Sequence, residues 1–184
     1  MNKEYETQVL EINSEEIINK LRELGAKEYP EVFQKRKVFD ILCLEEEGIG
    51  EWVRLRQTND KTTLTYKKRM NIEIDGTEEV EIEVDDFEKT AALLSRLKWT
   101  GKWYQENKRI KFVLNDIEFT LDKWPMIPIF LEVESSSKEK VNEGLKMLNL
   151  EGKDSGHLGL IKIYRKYGKE IHDYKELKFE AAEK

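Results

Sequence analysis

The sequence predicts an α+β fold of about eight β-strands with helices between some of them. Apolar and polar residues alternate through most segments, as they do in a strand with one buried face. Helical spacing of apolar residues follows only some of these segments, so the pattern differs from the βαβ alternation of a parallel nucleotide-binding sheet. No linker-like shift in composition divides the chain. We therefore expect one domain over residues 1–184, with a frayed tail at 180–184.

Composition restricts the class of protein. The net charge of −6 argues against generic nucleic-acid binding, because surfaces that follow a phosphate backbone need excess positive charge. The single cysteine, Cys43, cannot form an intramolecular disulfide. No apolar run approaches the ~18 residues of a membrane span, and the polar start is unlike a signal peptide. We expect a cytoplasmic protein with no membrane partner, either a monomer or a homodimer.

The first third of the chain predicts a strand, a helix and a longer strand. The first strand covers residues 4–11. Asn13 and Glu16 then form a capping box, the signature of a helix start. Gly25 is placed to end that helix in the left-handed conformation. Residues 32–44 predict a long strand, which an acidic turn at 45–50 follows.

The middle of the chain predicts a hairpin and a further strand. The hairpin joins strands at 52–57 and 62–68 around Asn59-Asp60. Residues 78–84 form the next strand, and Asp85 is placed to cap a second helix.

The last part predicts three more strands and two helices. The strands lie at 102–114, 117–121 and 129–133, with Asn115-Asp116 as a hairpin turn. Ser136 and Glu139 repeat the capping-box pattern before the third helix. The last helix carries Leu160 and Tyr164.

Charged residues of one sign alternate within single strands. Residues two apart in a strand point to the same face. Carboxylates share a face in Glu4-Tyr5-Glu6, in residues 79–83, in residues 118–122 and in Glu132-Val133-Glu134. A solvated face of an antiparallel sheet also explains simple alternation. However, carboxylates aligned on one face repel one another unless a cation lies among them. The candidate cations on neighbouring strands are Arg54, Arg56, Lys67, Arg109 and Lys111.

A divalent metal is the other cation that these faces can hold. Carboxylates are the ligands that Mg²⁺ and Mn²⁺ prefer, and arginine binds phosphate oxygens in a bidentate manner. If the strands close into a barrel, the polar faces line its interior. The pattern therefore indicates a site for a metal ion and a phosphate together.

The ordered set of motifs resembles one known family, the CYTH domain superfamily or triphosphate tunnel metalloenzymes. The resemblance extends from about Lys3 to Phe179. The segments that carry it are Glu4-Tyr5-Glu6, Trp52-Val53-Arg54-Leu55-Arg56, Leu64-Thr65-Tyr66-Lys67, Glu79-Val80-Glu81-Ile82-Glu83-Val84-Asp85-Asp86, Tyr104-Gln105-Glu106-Asn107-Lys108-Arg109 and residues 121–134.

This resemblance implies an eight-stranded antiparallel β-barrel that forms a triphosphate tunnel with flanking helices. It implies a cofactor, Mg²⁺ or Mn²⁺, and a set of metal ligands: Glu4, Glu6, Glu132 and Glu134, assisted by Asp122 and by the group that includes Glu81. The residues implied to bind phosphate and to carry catalysis are Arg54, Arg56, Lys67 and Arg109. Lys111, Gln8 and Lys37 are also expected to bind the substrate.

The implied activity is a divalent-metal-dependent hydrolysis of triphosphate-containing substrates. The candidate substrates are tripolyphosphate, ATP and thiamine triphosphate. One alternative is a class IV adenylyl cyclase, which makes cyclic AMP and pyrophosphate from ATP. Another is a non-catalytic module that binds polyphosphate or nucleotides.

Two residues depart from the family pattern. Gln8 stands where the first strand usually reads Glu-x-Glu-x-Lys, so a neutral amide replaces a positive charge beside the substrate. Arg36 stands where many relatives have an acidic residue. Lys37 or Lys35 on the next strand is expected to compensate for the charge that Gln8 lacks. The two histidines are expected to be solvent-exposed or structural, and the four tryptophans to serve packing, with stacking of one of them on a nucleobase as the alternative.

Overall fold

The computed structural model describes residues 2–44, 49–70, 77–98, 101–156 and 158–179, and these contain ten strands and four α-helices. Residues 45–48 of the acidic turn predicted at 45–50 lie outside the described residues, as do His157 and Trp99, while residues 49–50 begin a strand instead. The strands are β1 (Asn2–Val9), β2 (Lys27–Glu28), β3 (Val32–Leu44), β4 (Ile49–Thr58), β5 (Lys61–Arg69), β6 (Thr77–Val84), β7 (Gly101–Leu114), β8 (Ile117–Lys123), β9 (Phe130–Ser135) and β10 (Glu176–Leu177). The helices are α1 (Ser14–Glu23), α2 (Phe87–Leu94), α3 (Lys138–Met147) and α4 (Gly159–Lys166).

The eight long strands form a curled antiparallel sheet that returns on itself. Hydrogen-bonded neighbours follow the order β7-β3-β4-β5-β6-β1-β9-β8, and β8 pairs with β7 again. This confirms the predicted fold class, an antiparallel barrel with flanking helices. The two-residue strands β2 and β10 were not predicted, and both add to β7. Closure turns one face of every long strand toward a common interior.

The positions of the predicted hairpin turns and of the first helix are confirmed. Thr58 pairs with Lys61, and Asn59 has φ 52°, so the turn lies where the sequence places it. The Asn13 side chain accepts a hydrogen bond from the Glu16 backbone N–H at 3.4 Å. Gly25 follows the end of α1 with φ 78°, the left-handed conformation that glycine adopts without strain.

Two predicted helix caps are wrong by one residue. Asp86, and not Asp85, accepts the Lys89 N–H at 2.9 Å and starts α2. Ser137, and not Ser136, accepts the Lys140 N–H at 3.3 Å and starts α3. In both cases two adjacent residues carry oxygens suited to capping, and only the backbone conformation decides between them.

Three apolar clusters fix the helices against the ring. One packs α1 and α3 on β8 and β9 and includes Leu21, Phe119 and Leu145. A second packs α2 on β3 and β4, with Phe87 against Leu55. The third places α4 over one end of the ring. It contains Leu10, Trp124, Ile127, Phe130, Ile163, Tyr164, Ile171 and Leu177.

The helices in the described part of the chain are all too short or too polar to span a bilayer.

Gly144 tests the packing of α3 on the sheet. A Cβ at this position would lie 3.0 Å from Ile117 Cγ2 and from Val133 Cγ1, and both of these residues are fully buried. Overpacking costs about 1–3 kcal/mol, while the better helix propensity of alanine returns up to about 1 kcal/mol. We expect Gly144→Ala to lower the free energy of unfolding in urea by about 1 kcal/mol. Asn142→Ala, at an exposed position of α3, should leave it unchanged or slightly raised. A more stable Gly144→Ala protein would contradict this packing.

Candidate functional site

The ring encloses a cavity of about 390 Å³. All eight long strands contribute inward side chains to it, and these are spaced by two residues as strand geometry requires. Carboxylates predominate on β1, β8 and β9, and arginines on β3 and β4, although Asp40 on β3, Glu79 and Glu81 on β6 and Arg109 on β7 also line the cavity. The predicted alternation of charged residues therefore becomes an enclosed surface with two zones of opposite charge.

Three glutamates form a compact group on β1 and β9. Glu6 pairs in register with Glu134, and Gln8 pairs with Glu132 on the same two strands. One carboxylate oxygen from each of Glu6, Glu132 and Glu134 lies within 4.8 Å of the other two. Burial and the charge of Glu6 raise the pKa of Glu132 to about 8 and the pKa of Glu134 to about 7. These residues fit a divalent cation, because a cation among them would remove the repulsion.

Asp122 is fully buried beside this group and binds Arg109. Arg109 Nε donates to Asp122 Oδ1 at 2.9 Å, and Arg109 Nη2 donates to Glu132 Oε1 at 3.1 Å. Burial opposes the charge on Arg109, but Asp122 and Glu132 together hold its pKa well above the ordinary value. Asp122 also accepts from Asn107 Nδ2 at 3.2 Å. Asp122 thus lies next to the three glutamates, and its hydrogen bonds position Arg109.

Arg54 and Arg56 form a positive zone on β4 with little compensation. Their Nη2 atoms lie 3.9 Å and 3.7 Å from Glu81 Oε2, which are long ion pairs. Buried Arg54 Nε has no hydrogen-bond partner among the described residues. The charge of Arg54, and then burial, lowers the pKa of Arg56 to about 9. The excess positive charge of this zone would favour the binding of an anion.

Glu81 and Lys67 lie between the two zones. Glu81 Oε2 accepts from Thr65 Oγ1 at 2.6 Å. Burial opposes its charge, yet the hydrogen bond from Thr65 and the charge of Arg56 lower the pKa of Glu81. Lys67 is buried, and its Nζ lies 3.4 Å from Glu79 Oε2. Glu81 lines the cavity but does not belong to the three-glutamate group.

Gln8 connects the glutamates to the start of α4. Its side chain is buried, with Oε1 accepting the Leu158 N–H at 2.8 Å and Nε2 donating to Glu132 Oε2 at 3.4 Å. The helix α4 has no side-chain cap of its own, so Gln8 supplies the missing acceptor from a distant strand. The Ser155 N–H also donates to the Gln8 carbonyl at 2.8 Å. A lysine at this position could not accept the Leu158 N–H.

An aromatic and apolar zone closes the cavity beneath α4. Trp103 stacks on His172 with ring centroids 4.1 Å apart, and Trp52 and Trp124 also line the cavity. The expectation that these side chains serve only packing is therefore incomplete. The inward position of Trp52 could have been predicted from the sequence, because Trp52 lies two residues before Arg54 on the same strand and therefore points to the same face. His172 follows α4, and its position could not have been predicted in this way.

Two predicted phosphate ligands lie away from the cavity. Lys37 is not among the lining residues, because its neighbour Arg36 takes the inward position of β3. Lys111 pairs with Glu118, with Nζ 2.7 Å from Oε2, and its ammonium lies over the ring of Tyr29. The structure therefore does not bring Lys37 or Lys111 to the arginine zone.

The remaining predicted site residues differ in whether the structure places them at the cavity. Lys35 pairs with Glu88 at 3.3 Å on the outer surface, so it does not compensate for Gln8. The backbone of Glu4 pairs with Thr77, while its side chain lies outside the described part of the structure. The predicted residues that the cavity does bring together are Glu6, Gln8, Arg54, Arg56, Lys67, Glu81, Arg109, Asp122, Glu132 and Glu134.

A closed antiparallel ring with facing carboxylate and arginine zones defines a class of tunnel-like barrel proteins. The chain belongs to the CYTH domain family, whose domain it matches over residues 2–157. The match includes every charged residue of the two zones. It ends just before α4, which lies outside the matched part.

Individual relatives agree with this family. A protein of Methanocaldococcus jannaschii, named a putative adenylate cyclase, is 27% identical over 146 residues, which cover 79% of this chain and 83% of that protein. A Pyrococcus horikoshii OT3 protein of known structure is 25% identical to this chain with a TM-score of 0.73, and the match covers 87% of this chain and 98% of that protein. The Hippeastrum protein HpAC1, an adenylyl cyclase candidate with a dominant triphosphatase activity, shares the fold at 17% identity and a TM-score of 0.58, covering 91% and 96% of the two chains.

Gln8→Met tests the connection between β1 and α4. The substitution keeps the length of the side chain but removes the acceptor for the Leu158 N–H and the donor to Glu132. We expect the free energy of unfolding in urea to fall by about 1–3 kcal/mol, because the Leu158 N–H is left without an acceptor. Gln57→Met is the matched control, since Gln57 does not line the cavity. Equal stabilities of the two variants would show that the Gln8 hydrogen bonds contribute nothing.

Proposed function

We propose that this protein is a divalent-metal-dependent phosphohydrolase acting on triphosphate-containing substrates. One observation carries the proposal: three clustered carboxylates and a pair of weakly compensated arginines face a single cavity. Neither zone is stable by itself as a buried surface, because like charges repel. A metal ion and a polyphosphate together would neutralise both zones. The candidate substrates are tripolyphosphate, ATP and thiamine triphosphate.

Glu6, Glu132 and Glu134 are the residues that would hold the metal. Oxygen ligands of this kind suit Mg²⁺ or Mn²⁺. The ion would neutralise charge on the phosphate oxygens. Asp122 and Glu132 keep Arg109 charged and oriented at the edge of the same group. Arg109 would therefore bind the part of the phosphate chain nearest to the glutamates.

Arg54, Arg56 and Lys67 would bind the remaining phosphate oxygens. Arginine forms bidentate hydrogen bonds to phosphate and stays charged when buried. In hydrolysis, water forms a bond to the terminal phosphorus, the bridging P–O bond breaks, the remaining diphosphate part of the substrate leaves, and the attacked phosphoryl group becomes orthophosphate. Catalysis then comes from positioning and from neutralising charge in the transition state. These residues supply both effects without forming a covalent intermediate.

A class IV adenylyl cyclase is the second candidate. The name of the Methanocaldococcus jannaschii relative favours it, and the aromatic zone beneath α4 offers a surface for a nucleobase. In this reaction the ribose 3′-hydroxyl attacks the α-phosphorus and pyrophosphate leaves. A non-catalytic binding module is the third possibility, because Gln8 supplies no positive charge to the phosphate.

One panel of assays separates the three. The purified chain is incubated with Mg²⁺ or Mn²⁺ and with tripolyphosphate, ATP or thiamine triphosphate, and orthophosphate, pyrophosphate and cyclic AMP are measured. Orthophosphate release supports the hydrolase, whereas cyclic AMP formed with pyrophosphate supports the cyclase. Tight binding of tripolyphosphate without turnover supports the binding module.

Glu132→Gln tests the metal site. The amide keeps the size of the side chain but removes one charge from the three-glutamate group. We expect metal-dependent turnover to fall by about 100-fold or more, because loss of a supporting residue alone costs a metal site 10–100-fold. We also expect Mn²⁺ to raise the melting temperature of the wild type but not that of Glu132→Gln. Glu83→Gln, at an exposed position of β6, should change neither quantity. Unchanged turnover in Glu132→Gln would refute this site.

A further inference from the structure

We infer that Arg36 is an additional phosphate-binding residue that selects for longer phosphate chains. It would bind the phosphate at the end of the chain nearer to Trp124, on the opposite side from the three glutamates. The inference rests on the proposed function and adds a residue that the family pattern does not supply, since many relatives carry an acidic residue there.

Two contacts hold the Arg36 guanidinium in one place. Its Nε donates to Gln105 Oε1 at 3.0 Å. Its central carbon lies 4.1 Å from the centroid of the Trp124 ring. Gln105 lies directly opposite Arg36 on β7, and Arg56 lies opposite it on β4. Arg36 is therefore a cation fixed beside the arginine zone, which reduces the entropy lost when it binds an anion.

The charge of Arg36 is only partly compensated by the protein, through the nearby negative charge of Asp122. Among the described residues it forms no ion pair with a carboxylate, and Gln105 is the one hydrogen-bond partner of its guanidinium. Burial, together with the positive charge of Arg54, lowers the pKa of Arg36 well below its ordinary value. The buried Trp124 Nε1 also has no acceptor among the described residues. An anion bound here would satisfy the guanidinium and oppose the repulsion.

A purely structural role for Arg36 explains these contacts and charges less well. A neutral side chain of similar length, such as methionine, would also pack against Trp124 and would add no charge next to Arg54 and Arg56. Buried charges without partners are costly, so their retention calls for a partner that comes from solution.

Strand geometry places Arg36 at the far end of the phosphate path. Along β9 the inward residues run from Glu134 through Glu132 to Phe130. Asp122 pairs with Phe130, and Trp124 follows two residues later along the chain. Inward positions are spaced by about 6–7 Å along a strand. A phosphate chain that starts at the glutamates therefore passes Arg109 before it reaches Arg36, and a short chain bound at the glutamates would not extend so far.

The test compares binding of tripolyphosphate and pyrophosphate to the full chain by calorimetry at constant Mg²⁺. For Arg36→Gln we expect the Kd for tripolyphosphate to rise on the order of 10–100-fold, because charge-assisted hydrogen bonds to one phosphate are lost. The Kd for pyrophosphate should change by less than about threefold. Lys37→Gln, one residue along the same strand and away from the cavity, should leave both constants unchanged.

Two further variants separate binding from folding. Gln105→Leu removes the acceptor that holds Arg36 Nε and should lower the preference for tripolyphosphate while keeping the Arg36 charge. Arg36→Lys should retain part of the preference for tripolyphosphate that Arg36→Gln loses, because lysine keeps the positive charge but lacks the planar guanidinium. Should Arg36→Gln not fold, the Gln105→Leu protein decides the question. A structural role predicts a lower melting temperature with an unchanged ratio of the two constants.

Each remaining outcome is decisive. Equal losses for both phosphates in Arg36→Gln, or no loss for either, would overturn the inference. If Arg54→Gln abolishes tripolyphosphate binding while Arg36→Gln binds normally, the proposed function stands and this inference fails. If the wild type binds neither phosphate with Mg²⁺, the proposed function and the inference fail together.

Discussion

The closed hydrogen bonding of the sheet is the constraint on which the site depends. Because β7 pairs with β3 on one edge and with β8 on the other, the inner face of the ring is enclosed. Charged residues at alternate positions are then held close together around one cavity. Enclosure strengthens every electrostatic interaction among them, repulsive and attractive. The raised pKa of Glu132 and the lowered pKa of Arg56 are two results of the same closure.

Strand parity made most of the site predictable from the sequence. Arg54 and Arg56 could be placed on one inward face because residues two apart point the same way, and the same rule placed Glu132 and Glu134. The rule also explains why Lys37 does not line the cavity, since its neighbour Arg36 faces inward. What sequence could not predict are contacts across the ring. The hydrogen bond between Gln8 and Leu158 joins residues 150 positions apart, and no local pattern specifies it.

Gln8 and Arg36 are related departures, because one removes a positive charge from β1 and the other adds one on β3. The lysine of the family pattern would lie beside Glu132 and partly neutralise the three glutamates. With a neutral amide there, these glutamates depend more strongly on a bound cation for their charged state. The positive charge gained at Arg36 lies instead beside Arg54 and Arg56, and the charge of Asp122 compensates it only in part.

The two changes therefore increase the separation of charge within the cavity. Under the proposed function, the glutamate zone would depend more on a metal ion, and the arginine zone more on a phosphate chain, than in a barrel that keeps the lysine. Each ligand would then favour the binding of the other, since the metal neutralises phosphate oxygens that the glutamates would otherwise repel. Gln8 also ties the glutamates to the first residue of α4, so the helix that covers the aromatic zone is joined to the metal side of the cavity through one side chain.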